Sequence, residues 1–171
     1  MQRVMVIGCC GAGKSTVARR LHDLTGLPLQ HLDQHYWLPN WQEPDKASWQ
    51  AKVRELSDQA NWIIDGNYGG TMDIRLGRAD TIIYLDYPTV KCLWRITKRI
   101  MRYHGKVRPD MPVGCKERFN LGFYHYVATY NFVRRPALIK RLRALDNSKQ
   151  LVHLRNDREA NRFLSKWSKS T

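Results

Sequence analysis

The chain has 171 residues with 43% hydrophobic, enough for one domain that buries its own core without disulfide staples. No stretch approaches the ~20 apolar residues of a membrane span, and the N-terminus enters a strand pattern directly rather than a secretory leader. The net charge of +14 is uneven: residues 1–90 hold nine Lys/Arg against ten Asp/Glu, and residues 91–171 hold twenty against five.

These features point to a cytoplasmic protein with no membrane partner. A basic half of this size attracts polyanions, either nucleotide phosphates or a nucleic-acid backbone, although a plain solvated face has the same composition. The four cysteines show no metal-ligand spacing, and a disulfide framework is not expected in a reducing compartment.

Residues 3–7 read as a first strand. Gly8-Cys9-Cys10-Gly11-Ala12-Gly13-Lys14-Ser15-Thr16 follows as a complete G-x-x-x-x-G-K-[ST] loop ahead of an amphipathic helix over 14–25. The glycines let consecutive N–H groups turn onto a polyphosphate, and the helix adds its positive end. Lys14 is expected on the β- and γ-phosphates and the Ser15 hydroxyl on Mg²⁺. Residues 8–16 are therefore the candidate nucleotide site. The Asn/Thr-Lys-x-Asp pattern that reads guanine is absent, which favours ATP. Cys9 or Cys10 could carry a lowered pKa beside the helix N-terminus or simply be small residues tolerated in the loop.

Residues 28–32 read as a short second strand, ending at Asp33. That carboxylate can sit on Mg²⁺, accept the proton of an acceptor hydroxyl, or form an Asx turn. Residues 33–45 look irregular because of Pro39 and Pro44, and Tyr36, Trp37 and Trp41 can wall an acceptor or cover the sheet. A helix follows from Ala47 to Ala60, then a strand over 62–64 that ends at Asp65-Gly66. Asp65 suits a metal-side carboxylate, and Asn67 and Tyr68 are expected to face the acceptor. Thr81–Leu85 is continuously apolar, as in a parallel strand buried on both faces, and Asp86 looks like the cap of the next helix.

Pro88 opens a long basic helix to about His104. Residues 116–133 and then 136–145 read as helical, 151–154 as a last strand, 157–167 as a closing helix, and 165–171 as a polar tail. The break near 105–112 carries Arg108, the first candidate for a lid arginine that stabilises a transferring phosphoryl group, with Arg102 second. Arg95 and Arg99 are placed on the solvent face. Phe119, Phe123, Tyr126 and Tyr130 recur at helical spacing and read as core ahead of the alternative, a platform for a nucleobase.

Alternating strands and helices after a phosphate loop predict a three-layer α/β fold with a doubly wound, parallel, five-stranded sheet. Ligands there bind beyond the carboxyl ends of the strands, which gathers the loop, Asp33, Asp65 and Asp86 on one edge. The expected organisation is one P-loop kinase-like domain over 1–171, with an acceptor-binding segment at 33–60 and a lid at about 104–118.

The phosphate loop, Leu32-Asp33 with Tyr36-Trp37, Ile64-Asp65-Gly66-Asn67-Tyr68, Arg78-Ala79-Asp80 and Arg108-Pro109-Asp110-Met111 together resemble the adenylate-kinase-like P-loop NTPases. Within these, the chain looks most like the DNA-topology-modulation proteins. Nucleoside-monophosphate kinases have Pro-Arg after the Asp-Gly; Asn67-Tyr68 stands here, which counts against AMP as acceptor. Arg108-Pro109 is similar to the lid of shikimate-kinase-like enzymes. The resemblance implies an ATP- and Mg²⁺-dependent phosphotransferase acting on a nucleotide or small hydroxylated metabolite. The competing readings are a nucleotide-gated nucleic-acid-binding protein affecting DNA topology, and a switch NTPase without an acceptor, which lacks a water-positioning glutamine signature.

Overall fold

In the computed structural model, which describes residues 1–167, five parallel strands form one sheet in the order β2-β3-β1-β4-β5. They are β1 (Arg3–Gly8), β2 (Leu29–His31), β3 (Trp62–Asp65), β4 (Thr81–Leu85) and β5 (Gln150–Leu154). The register aligns Val6 with Asp65, His31 with Asp65, and Gly8 with Leu85, so the carboxyl ends of four strands meet at one edge.

Successive residues of β1 point to opposite faces, which splits the core in two. Val4 and Val6 pack with Leu21, Ile96 and Leu164 on one face; Met5 and Ile7 pack with Val53, Trp62 and Leu138 on the other. The first face is covered by α1 (Lys14–Thr25), α5 (Thr89–Tyr103) and α9 (Asp157–Ser165), and the second by α3 (Lys46–Ser57), α4 (Met72–Arg78) and α8 (Arg135–Arg143). The short α2 (Leu32–Tyr36) adds Leu32 to the second face, and α6 (Leu121–Ala128) followed by α7 (Tyr130–Val133) adds Val127 and Tyr130 to the first. From residue 168 onward, the expected polar tail falls outside the described residues.

Three local expectations are corrected. Residues 33–36 are helical rather than irregular. The helix expected from 116 begins at Leu121, because Asn120 caps it by accepting from the Phe123 N–H at 3.1 Å. Lys116 and Glu117 instead pair along the backbone with Val107 and His104, closing residues 104–117 into a small hairpin-like flap. Asp86 is not a cap: α5 starts after Pro88 with no side-chain cap. Asp86 takes two hydrogen bonds from Arg135 at 2.7 and 2.6 Å, one from Tyr84 Oη at 2.9 Å, and lies 2.9 Å from His153 Nε2.

Candidate active site

The turn after β1 has no room for side chains. A Cβ on Gly8 would sit 2.4 Å from the Leu85 carbonyl oxygen, and one on Gly11 2.4 Å from that of Cys92. Both residues also have positive φ, 146° and 83°, so only glycine follows this path against β4 and α5. The 12-residue α1 starts at Lys14 with no acidic residue in its first turn, leaving its free N–H groups and positive end open to an anion. Lys14 Nζ donates to the Cys9 carbonyl at 3.3 Å. Burial opposes its charge, but Cys10, Asp65 and Asp33 outweigh that and hold the ammonium above its ordinary pKa.

Cys9 is buried, and its thiol is pushed upward, first by its hydrogen bond with Cys92 and then by burial. It is a packing residue, not a reactive thiolate. Cys10 lines the cavity described below.

Asp65 ends β3 at 5% exposure; its Oδ2 lies 2.9 Å from His31 Nδ1, and its buried Oδ1 has no hydrogen-bond partner among the described residues. Asp33 accepts from Tyr68 Oη at 2.6 Å. Burial raises the Asp33 pKa, and Asp65 adds to this; Tyr68, Lys14 and Arg108 pull the other way without cancelling it. Tyr68 is held at φ 36°, an unusual backbone for a bulky residue, and burial followed by the Asp33 charge pushes its phenol upward. Asn67 uses both ends of its amide on Gly8, accepting from its N–H at 3.0 Å and donating to its carbonyl at 2.7 Å. Asn67 thus ties the acceptor-side turn to the phosphate loop, a role its position in sequence does not reveal.

Arg75, on α4, is fully buried and was missed in the sequence. It donates to the carbonyls of Gly66 (2.6 Å), Asn67 and Tyr68 (3.0 Å). Among the described residues no carboxylate pairs with it, and burial depresses its pKa to about 9. Only an alternating apolar pattern in a short helix surrounds it in sequence, which gives no sign of a buried cation.

A cavity of about 1150 Å³ runs from the phosphate loop to the aromatic segment after β2. Ser15, Lys14, Asp33, Asp65, Asn67 and Tyr68 line it, as do Tyr36 and Trp37. Arg108 lines it too, but its guanidinium is already engaged: Nη1 lies 3.0 Å from Asp110 and Nε 2.6 Å from Glu117. Arg102 does not line the cavity. It is exposed on the last turn of α5, beyond the cavity rim, with its guanidinium 5.5 Å from the Tyr103 ring. Arg95 and Arg99, expected on the solvent face, line the cavity instead. Arg95 reaches the Ala12 carbonyl (3.3 Å) and both oxygens of Asp157 (2.7 Å each), and Arg99 reaches Glu117 at 3.1 Å. The reversal follows from where α5 packs: its buried stripe, Cys92, Ile96 and Ile100, brings the adjacent arginines against the phosphate loop. Phe123 and Tyr126, expected as core, also line the cavity, whereas Tyr130 is buried and Phe119 is exposed. Arg118, another residue the sequence reasoning passed over, lines the cavity and forms no ion pair among the described residues.

The flap and the aromatic segment touch directly. Gln34 donates to the Pro109 carbonyl at 3.0 Å, Trp41 to that of Lys116 at 3.1 Å, and Cys115 Sγ lies 3.3 Å from the Leu38 carbonyl.

A glycine loop on the central strand of a parallel sheet in this order, with carboxylates at the neighbouring strand ends, defines the α/β fold of the P-loop NTPases. Among solved structures, the chain is similar to shikimate kinase from Acinetobacter baumannii in complex with shikimate (TM-score 0.61, 16% identity, covering 97% of this chain and 90% of that one). It is also similar to a putative kinase from Chloroflexus aurantiacus (TM-score 0.53, 12% identity, 97% of both chains). A third is shikimate kinase from Bacteroides thetaiotaomicron (TM-score 0.51, 15% identity, 96% of this chain and 95% of that one). At these identities the likeness is one of fold: the chain has the fold of P-loop kinases. No protein-family model and no curated protein matches the sequence.

Proposed function

We propose that the protein is a small-molecule kinase that transfers the γ-phosphoryl group of ATP to a hydroxyl of a small acceptor. The observation that carries this reading is the cavity that the phosphate loop, Lys14, Asp33 and the aromatic residues Tyr36 and Trp37 line together. The kinase fold of the neighbours supports it by analogy.

In this reading the loop N–H groups and Lys14 hold the phosphates. The acceptor oxygen bonds to the γ-phosphorus as the bond to the bridging oxygen breaks, its electron pair leaving with ADP. Asp33 takes the hydroxyl proton, and its raised pKa makes it a stronger base than an exposed carboxylate. Arg108, oriented by Asp110 and Glu117, and the unpaired Arg118 present positive charge from the flap at 104–118, which we assign as the lid. The segment 33–60 is the acceptor side of the same single domain.

The donors suit magnesium. The Ser15 hydroxyl and the Asp65 Oδ1, unpartnered among the described residues, are hard oxygens, and Mg²⁺ takes one or two such protein ligands beside phosphate and water; Asp33, first expected among them, is kept for the acceptor proton. When bound, the ion draws negative charge from the phosphate oxygens.

An effect on DNA topology, as the family resemblance implies, then arises indirectly, through the phosphorylated product or the nucleotide pool. Several arginines of the basic half are committed to internal acids, Arg95 to Asp157, Arg99 to Glu117 and Arg135 to Asp86, rather than offered to a nucleic-acid backbone.

The test is Mg²⁺-dependent conversion of ATP to ADP with a panel of nucleosides, nucleotides and hydroxylated metabolites. One class of acceptor should stimulate turnover strongly. Lys14→Ala and Asp33→Asn should abolish transfer while leaving the fold intact by circular dichroism. Turnover unchanged in both variants, or stimulated only by nucleic acid, sinks the reading.

A further inference from the structure

On the kinase reading, we propose that the acceptor is a hydroxylated cation, such as an amino sugar or amino alcohol, and not a carboxylic acid or phosphate ester. The acceptor end of the cavity is built as an aromatic box edged with acids, and among the described residues no Lys or Arg stacks on its rings.

The box consists of packed rings. Tyr36 lies 5.0 Å from Trp37 at 86° and 4.6 Å from Tyr68, and Trp37 lies 5.3 Å from Trp41 at 69°. Such near-perpendicular rings present both edges and faces, and the negative faces attract a cation within about 6 Å. In a chain of net charge +14, internal cations are abundant enough to occupy these faces. They do not. Among the described residues, the Lys and Arg groups that stack on rings use Tyr87, Trp94, Tyr103, Phe123 and Tyr126, all on α5, α6 or the turn before α5. The four rings after β2 and β3 carry none.

The charges agree. Glu43 and Asp33 line this end of the cavity, and neither forms a salt bridge with a Lys or Arg among the described residues. Among the described residues the Asp33 carboxylate accepts a hydrogen bond from the neutral Tyr68 hydroxyl alone, with Lys14 and Arg108 acting on it at longer range. The cation nearest in function, Arg108, is 9% exposed and pinned between Asp110 and Glu117, and Glu117 is shared with Arg99. An acid acceptor that drew Arg108 out of this arrangement, unlike a phosphoryl group met with both pairs intact, would strip the pair from two carboxylates that are themselves nearly buried, Asp110 at 9% and Glu117 at 5% exposure. Leaving a buried charge unpaired is costly, so the arrangement rejects anions as well as inviting cations. Arg118, exposed and without an ion pair among the described residues, also lines the cavity and on the kinase reading is assigned to the transferring phosphoryl group.

The experiment measures binding and transfer separately on the intact protein. Binding is read by calorimetry, with the change in total tryptophan fluorescence beside it, in matched sets of compounds: amino sugars and amino alcohols, their uncharged counterparts, and the corresponding sugar acids and phosphate esters. The expected result is at least one cationic member bound about tenfold or more tighter than its neutral match, the scale of a desolvated cation–π contact backed by a carboxylate. The acids should not bind measurably. Glu43→Gln should shrink the ratio of cationic to neutral affinity towards one. Transfer from ATP should follow the same order. Preference for an acid or ester, a ratio near one in the wild type, or no binding of any cationic member at millimolar concentration overturns the inference. Transfer to an acid overturns the inference and leaves the kinase reading standing. Selective cation binding without transfer to any compound does the reverse.

Discussion

Arg75 gives a prediction in which stability and function part company. In Arg75→Met three buried carbonyls, those of Gly66, Asn67 and Tyr68, lose their donor. At about 1–3 kcal/mol for each unsatisfied buried acceptor, that loss is roughly 3–9 kcal/mol. The native guanidinium is itself strained by burial, its pKa lowered from 12.5 to about 9. At about 1.4 kcal/mol per pKa step, removing that charge returns roughly 5 kcal/mol. The two nearly offset, so the variant should lie between about 2 kcal/mol more stable and about 4 kcal/mol less stable, a midpoint change of at most roughly 8–16 °C. Function does not share the compensation. Tyr68 is held at φ 36°, a conformation costing about 1–3 kcal/mol; without its anchor it relaxes, and the hydroxyl leaves Asp33. The assay pairs thermal unfolding with steady-state kinetics over pH. The expected outcome is a folded protein whose acceptor KM rises more than tenfold and whose acid limb shifts upward, because Asp33 loses the hydrogen bond that opposes its raised pKa. Wild-type kinetics in a folded Arg75→Met would refute the positioning role, and a variant that cannot fold refutes the compensation.

Three further predictions rest on single observations. Gly11→Ala places a Cβ 2.4 Å from the Cys92 carbonyl at φ 83°, so ATP affinity by calorimetry should fall at least about tenfold with little change in circular dichroism. In the wild type, kcat should fall as pH drops through an apparent pKa above 3.8, since burial raises Asp33 and a base must be ionised; Asp33→Asn removes the activity, not merely the limb. Asp86 is held down at about 2 despite burial, by Arg135, Tyr84 and His153. A depressed carboxylate stabilises the fold above its unfolded value of 3.8, and that contribution disappears as pH falls through about 2. Asp86→Asn should therefore be less stable than wild type at pH 7, with the gap closing between pH 4 and 2 in urea titrations.

The phosphate loop, the alternation of strands and helices and the parallel sheet were legible because each is a local pattern. Nine consecutive residues specify a strand–turn–helix with room only for backbone, and an apolar run such as Thr81–Leu85 reads directly as a strand buried on both faces. Asp33 and Asp65 could be named for the same reason: each follows its strand, and strand ends converge in this topology. Which atoms those residues touch lay beyond such patterns. Asn67 meets Gly8 across 59 positions, Arg95 meets Asp157 across 62, and Arg75 turns inward to three carbonyls instead of solvent. Arg108 looks like a free lid cation in sequence and is a paired one in the fold, because the hairpin of residues 104–117 brings Glu117 back onto it. Sequence determined the phosphate-binding turn and the layers around it, through contacts within a turn or along a strand. Tertiary structure alone decided which charges are spent on one another and which still face the cavity, since a charge's partner is set by packing between distant elements.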